Sequence, residues 1–302
     1  MNNIIVSGLI NLETTLKVDH FPIEYYPVRY PFFGIRSSIA GVGYNIAKAL
    51  KTLGQDPILL SLVGRDQVGE LVIKNLGEQQ LGSDMVLKIQ KETAQSVIVY
   101  DDQGRRQIHT DLKDIQNLVY PVEIFRQIVK ESSLAVLCNI NFSRPLLAEA
   151  RQAGAMIATD VHAISNLDDE YNHDFMSQAD ILFMSHENLP VSPEEWTREI
   201  FNKFRPEIVV IGLGSDGALL GVLRDRYLKR FPAVRTRKII NTIGAGDALF
   251  SCFLKDYLAT KNPYTSIEKA IIFASYKIGD AGAADGFLDA DALDQLASKL
   301  AM

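Results

Sequence analysis

Apolar runs of strand length recur along the chain, and between them apolar residues return at helical spacing. Residues 4–10 (IIVSGLI) read as a buried strand. Residues 45–54 (NIAKALKTLG) put Ile46, Leu50 and Leu53 on one helical face, with Gly54 where such a helix would end. A strand over 56–64 and a helix over 68–77 repeat the pair. Further strands are predicted at 134–140, 155–161, 179–185 and 207–214, with helices around 144–153, 167–177 and 193–204. Strands apolar on both faces and joined by helices imply a mostly parallel sheet covered by helices, an α/β fold.

Two stretches break the rhythm. Residues 12–39 carry three prolines and many aromatic and β-branched residues without a helical period, and 95–110 (QSVIVYDDQGRRQIHT) read as a hairpin with Gln103-Gly104 near its turn. Both are expected in a small accessory sheet projecting from the main layer. No internal repeat or linker divides the chain, so residues 1–302 are expected to form a single domain with lid segments at about 12–39 and 95–110.

Composition narrows the field. The chain is 47% hydrophobic and 23% charged, and its formal net charge of -6 argues against a nucleic-acid surface. Cys138 and Cys252 each sit inside an apolar segment and are expected as buried reduced thiols. The start MNNIIVSGLINLETT lacks a signal peptide's basic opening and cleavage site, and the apolar runs are too short to span a bilayer. A cytoplasmic protein with no membrane partner is the expectation.

The stretch NTIGAGDALFSCFL (241–254) is the most informative. The run from Ala245 to Leu258 is apolar nearly all round, which predicts a helix sunk in the core. Such a helix opens with unpaired N–H groups and the positive end of its dipole. Gly244, Ala245 and Gly246 can therefore cradle an anion. Asp247 would repel a bound phosphate unless it faces a hydroxyl that attacks that phosphate, which is the arrangement phosphoryl transfer requires. A helix start would also keep Asp247 ionised at neutral pH. The plainer reading stays open: aspartate in a first turn is common for dipole reasons alone. The chain has no Gly-Lys-Ser/Thr loop, and no G-x-G-x-x-G follows the first strand.

NTIGAGDALF resembles the carboxy-terminal signature of the ribokinase-like carbohydrate kinases (the phosphofructokinase B family), usually Asp-Thr-x-Gly-Ala-Gly-Asp. AGVGYNIAKALKTLGQDPILLSLVGRDQVGE (40–70) resembles the early Gly-Gly-x-x-x-Asn-x-Ala signature, followed by Leu-Gly and Gly-x-Asp-x-x-Gly. The resemblance covers nearly the whole chain. It implies a three-layer α/β/α fold with a mostly parallel central sheet and a small β-sheet lid, which in this family often mediates homodimers. It implies Asp247 as catalytic base and the 244–246 backbone as anion hole. Asn11, Glu13, Gly41, Gly43, Asn45 and Asn141 match substrate-facing positions, and Gly214, Ser215 and Gly217 match the loop that contacts ATP phosphates.

The pattern is broken at three places. The leading Asp of the late signature is Asn241, and relatives activated by a monovalent cation use that carboxylate in the ion site, so K⁺ dependence is not expected. The Asn-x-x-Glu that helps organise Mg²⁺ is replaced by SHEN, which leaves the metal ligands unassigned, with Glu187 and Asn188 the candidates. Glu13 stands where many relatives have Asp, lengthening the reach into the pocket by one methylene. His109, His162 and His186 have no metal-ligand spacing and receive no role. The resulting expectation is an ATP-dependent, Mg²⁺-using kinase of a hydroxymethyl group on a sugar or sugar-like substrate. A nucleoside kinase of the same fold is the alternative within enzymes, and a non-catalytic sugar or nucleotide sensor is the alternative outside them.

Overall fold

A computed structural model describes residues 3–300. Its strands run β1 (Asn3–Ser7), β2 (Asn11–Lys17), β3 (Ile35–Ala40), β4 (Ile58–Gly64), β5 (Val86–Gln90), β6 (Gln95–Tyr100), β7 (Arg106–Asp111), β8 (Ser132–Leu137), β9 (Met156–Asp160), β10 (Ile181–Ser185), β11 (Ile208–Gly212), β12 (Ala218–Val222) and β13 (Tyr227–Phe231). The helices are α1 (Val42–Thr52), α2 (Gln67–Glu78), α3 (Val122–Val129), α4 (Arg144–Gln152), α5 (His173–Gln178), α6 (Pro193–Lys203), α7 (Ala245–Thr260), α8 (Pro263–Lys277) and α9 (Ala290–Leu300).

Nine strands form one sheet in the order β13-β12-β11-β10-β9-β8-β1-β4-β5, parallel throughout except at the β11-β12-β13 end. Side chains alternate between its faces: Ile4 and Val6 of β1 join one buried cluster with α1, α7 and α8, while Ile5 joins the other with α3, α4 and α6. The same alternation splits Ile208 and Val210 from Val209 and Ile211. Strands buried on both faces account for the unbroken apolar runs of the sequence. The three-layer α/β/α architecture is the one expected.

The remaining four strands form a separate small sheet, β3-β2-β6-β7, from the two segments that lack helical periodicity. Gly104, at φ 81, sits in the tight connection between β6 and β7. Part of the early signature serves the fold itself. Asp66 caps α2 by accepting from Gly69 N at 2.8 Å and also takes the amide and hydroxyl of Thr93.

Two element boundaries differ from the periodicity. The helix expected from Asn45 begins at Val42, which moves Asn45 into the helix interior. The helix expected over 167–177 forms only over α5, because Asn166 and Asp169 accept the amides of Asp168 and Tyr171 and hold that stretch in turns. Cys138 and Cys252 are buried and unbridged. Among the described residues no helix is long and apolar enough to cross a membrane.

Candidate active site

The mouth of α7 is built by two chain segments running side by side. The amides of Ile240 and Asn241 donate to Ile278 O at 2.9 and 3.1 Å, and Asn241 Nδ2 donates to Ala281 O at 3.1 Å. Asn241 Oδ1 turns back to accept from Ile243 N at 2.9 Å. Gly244 then caps α7 in the left-handed region, φ 75, with its Cα facing the Ala283 carbonyl so closely that a Cβ would overlap it. Gly246 differs, since a Cβ there would meet no atom within 4 Å. Of the three expected cradle amides, Ala245 N is engaged by Thr242 O at 3.2 Å. That is a correction to Ala245 N as a free donor.

Asp247 is the third residue of α7 and is 9% exposed, nearly buried yet reachable. Asn45 Nδ2 donates to Asp247 Oδ2 at 2.6 Å, so the Asn45 side chain is a partner of the carboxylate and not a helix cap. Burial pushes the Asp247 carboxyl above its ordinary range, opposed by the Asn45 hydrogen bond and by the nearby His162 and Lys277. Desolvation therefore outweighs the helix-dipole argument for a fully ionised group. The small sheet brings Asn11 and Glu13 to the same region on one face of β2. Asn11 Nδ2 donates to Ser96 Oγ at 2.8 Å across to β6. Glu13 is raised to about 7 by burial, with Lys277 pulling it down and Asp247 and Asp285 pushing it up. Asn11 Oδ1, Glu13 Oε1 and Asn45 Oδ1 are buried and have no hydrogen-bond partner. Buried polar atoms left without partners are costly, so three in one region mark a place built for a polar guest.

The small sheet is latched to this mouth. Arg36 on β3 reaches Asp285 at 2.6 Å, and Arg106 on β7 donates to Thr242 Oγ1 at 2.8 Å. Ile98 of β6 packs with Ile243 and Ala283. Arg105, by contrast, stays within its own turn, bonded to Asp101. Gly214 and Ser215 lie in the single turn of 3-10 helix joining β11 to β12, with Gly217 closing it through its carbonyl to Leu213 N at 2.8 Å. His186, from the SHEN stretch, donates its amide to Gly212 O at 2.9 Å, which ties the loop of Glu187 and Asn188 to the 212–217 turn. Glu187 and Asn188 are exposed there. Among the described residues no three His, Cys, Asp or Glu side chains are grouped as a metal cage. This donor set fits a Mg²⁺ carried on phosphate oxygens and water, with at most one or two protein ligands. It does not fit a K⁺ ion beside the turn, because the Asn241 side chain is spent on Ile243 N and Ala281 O, and the Ile243 carbonyl accepts from Lys277 Nζ.

Three of the expected substrate positions also make contacts within the fold. Asn141 spends its side chain on Gln116 O at 2.9 Å and Arg144 at 3.2 Å, which removes it from the set of unpaired groups. Gly41 and Gly43 are required by the backbone: Gly41 has φ 103, and a Cβ on Gly43 would run into Gly8, so both let the neighbouring chain approach closely. Sequence reading missed Lys277, Ser96 and Asp285. The only trace of Lys277 was a lone lysine ending an apolar helical stretch, a pattern that reads equally as an exposed helix end. Surface clefts beside His109 and Lys113 and beside Arg205 and Tyr257 lie away from Asp247.

A mostly parallel sheet between two helical layers, a small latched sheet and a buried carboxylate at a glycine-rich helix mouth define the α/β protein. Residues 1–290 match the pfkB family carbohydrate kinases, and the chain belongs to that family. It is similar to an ATP-dependent ribose-1-phosphate kinase of Halopiger xanaduensis, 25% identical over 94% of either chain. Its fold matches a microbiome-derived acarbose kinase at TM-score 0.88 and 21% identity, covering 98% of this chain and 99% of that one. A Burkholderia thailandensis nucleoside kinase, solved with inosine, matches at TM-score 0.80 and 17% identity over 98% and 99%. The protein is thus a kinase of the pfkB carbohydrate kinase family.

Proposed function

We propose that the protein transfers the γ-phosphate of ATP to a hydroxymethyl group of a sugar or sugar-like substrate. Asp247 orients the hydroxyl and accepts its proton, and the open amides around Gly244–Gly246 take the charge that develops on the phosphoryl group. The observation that carries this reading is the set of orphaned oxygens on Asn11, Glu13 and Asn45 beside Asp247, acceptors waiting for hydroxyl donors. Gly214, Ser215 and Gly217 hold the nucleotide phosphates, and Mg²⁺ supplies charge neutralisation on those phosphates when bound. The chain acts as one kinase unit, with segments 12–39 and 95–110 as the lid that excludes water.

A sugar is favoured over a nucleoside because the aromatics that could stack on a base lie outside the pocket. Tyr25, Phe32 and Phe33 are 91%, 84% and 107% exposed, whereas the buried polar side chains on the small sheet are Asn11, Glu13, Thr15 and Ser96. A panel of pentoses, hexoses, sugar phosphates and nucleosides, assayed with Mg-ATP for ADP release, tests the reading. Turnover with nucleosides alone would favour the base-binding alternative, and no turnover across a broad panel would sink the proposal.

Glu13 gives the reaction a pH signature. In the free enzyme its carboxyl titrates at about 7, so below that pH it is protonated and loses an acceptor for the substrate. kcat/KM should therefore rise through about pH 7, and Glu13→Gln should flatten that limb while lowering the plateau. The exposed lid aromatics support a homodimer through the lid. Phe33→Asp should convert a dimeric wild type to a monomer in sedimentation; a monomeric wild type would remove this part of the proposal.

A further inference from the structure

Lys277, the last residue of α8, is wholly buried, and its ammonium is seated on the carbonyl of Ile243, immediately before the glycine cradle. Burying an ammonium is costly, and an apolar side chain of similar volume would avoid that cost. The groups facing it are Glu13 from β2, Asp247 from α7, and Asp280 and Asp285 from the loop after α8. These carboxylates act on the ammonium through space rather than as contact ion pairs, and Asp285 is itself paired with Arg36 and Lys48. The carbonyl it holds belongs to the same turn that presents the cradle amides, and the two segments are already stitched together at Ile278 and Ala281.

We propose that the Lys277 ammonium is a built-in cation, fixing the 241–246 turn and offsetting the carboxylates around the phosphoryl site, in place of an exchangeable monovalent ion. This rests on the phosphoryl-transfer reading above and adds a positioning residue to it. The donors that an ion would need beside the turn are consumed by Lys277 and by the Asn241 side chain itself. Burial lowers the lysine to about 8 against the pull of the four carboxylates, so the charge is present at neutral pH and is lost as pH rises through about 8. An alkaline limb of kcat/KM belongs there.

The test uses wild type and Lys277→Met in a tetramethylammonium buffer with Mg-ATP and an accepted sugar, without and then with K⁺ or NH₄⁺. Wild-type turnover should change less than twofold on adding either ion. The variant should lose roughly 10²-fold in kcat, the scale of a removed charge-stabilising group, with a smaller change in KM. Its acid limb should move to higher pH, because a positive charge facing Glu13 and Asp247 is gone, and K⁺ or NH₄⁺ should restore part of kcat. A merely structural lysine would move neither the acid limb nor the cation response. A wild type activated tenfold or more by K⁺, or a folded variant with wild-type kcat and acid limb, overturns the proposal. If Lys277→Met does not fold, the cation response of wild type still decides. If wild type turns over no substrate, the kinase reading fails separately, and melting temperatures decide the cation. K⁺-selective stabilisation of wild type then overturns the proposal, and K⁺-selective stabilisation of the variant alone supports it.

Discussion

Asp247→Asn should abolish most turnover while leaving a protein at least as stable as wild type. A positioned base contributes about 10²–10⁴-fold, and that loss should appear in kcat with little change in the KM for ATP. Stability moves the other way for an electrostatic reason. Burial raises the Asp247 carboxyl above its ordinary value, so the folded state binds that proton more tightly than the unfolded chain does. The stability tied to this group is full at acid pH and is lost as pH rises through the folded value. A neutral amide of the same shape escapes the loss, and its oxygen can still accept from Asn45. The melting temperature of the variant should therefore match or exceed wild type at pH 7–8, with the difference closing toward about pH 4, where the ordinary carboxyl also takes up its proton. Calorimetry with and without the substitution, alongside ADP release, checks both halves. A variant that unfolds, or that keeps wild-type kcat, would contradict this assignment.

The second large effect separates two glycines that look alike in the sequence. Gly244→Ala should destabilise the protein, since the left-handed conformation alone costs a side chain about 1–2 kcal/mol and the added methyl would press on the Ala283 carbonyl. Gly246→Ala should fold normally or gain up to about 1 kcal/mol from helix propensity, because its added methyl meets no atom within 4 Å. Under the proposed mechanism that methyl would occupy the space of the transferred phosphoryl group. Urea denaturation should thus show Gly244→Ala with a lowered midpoint and Gly246→Ala with an unchanged or higher one. Activity should fall at least tenfold in both, the scale of one weakened charge-stabilising contact. If Gly246→Ala retained full activity, the phosphoryl group would have to bind elsewhere.

Much of the molecule was legible before any coordinates. Apolar runs such as LAVLCNI and EIVVIGLG, of strand length and set between helical patterns, read as strands buried on both faces, and a sheet covered by helices follows from them. The two late and early signatures marked the helix mouth and the segment that meets it. The Asn45–Asp247 contact, between residues 202 positions apart, is the link they share. Other parts were not legible because a residue type does not say which partner it meets. Asn141 has the side chain of a substrate ligand, and Gln116 and Arg144 consume it. Gly41 and Gly43 read in the sequence as space for a ligand, and the sequence did not show that the backbone of Leu9 and Gly8 already requires glycine there.

By itself the sequence determined the layered α/β architecture, the small second sheet and the glycine-bounded aspartate, because each is written in local periodicity or in residues only a few positions apart. Tertiary structure alone decided which polar atoms stay unpaired and which charges share a buried site. Lys277 illustrates the reason: its environment is set by carboxylates on β2, on α7 and in the loop after α8, brought together only when the layers pack. Burial and field strength depend on those long-range neighbours, and no local pattern in the chain encodes them.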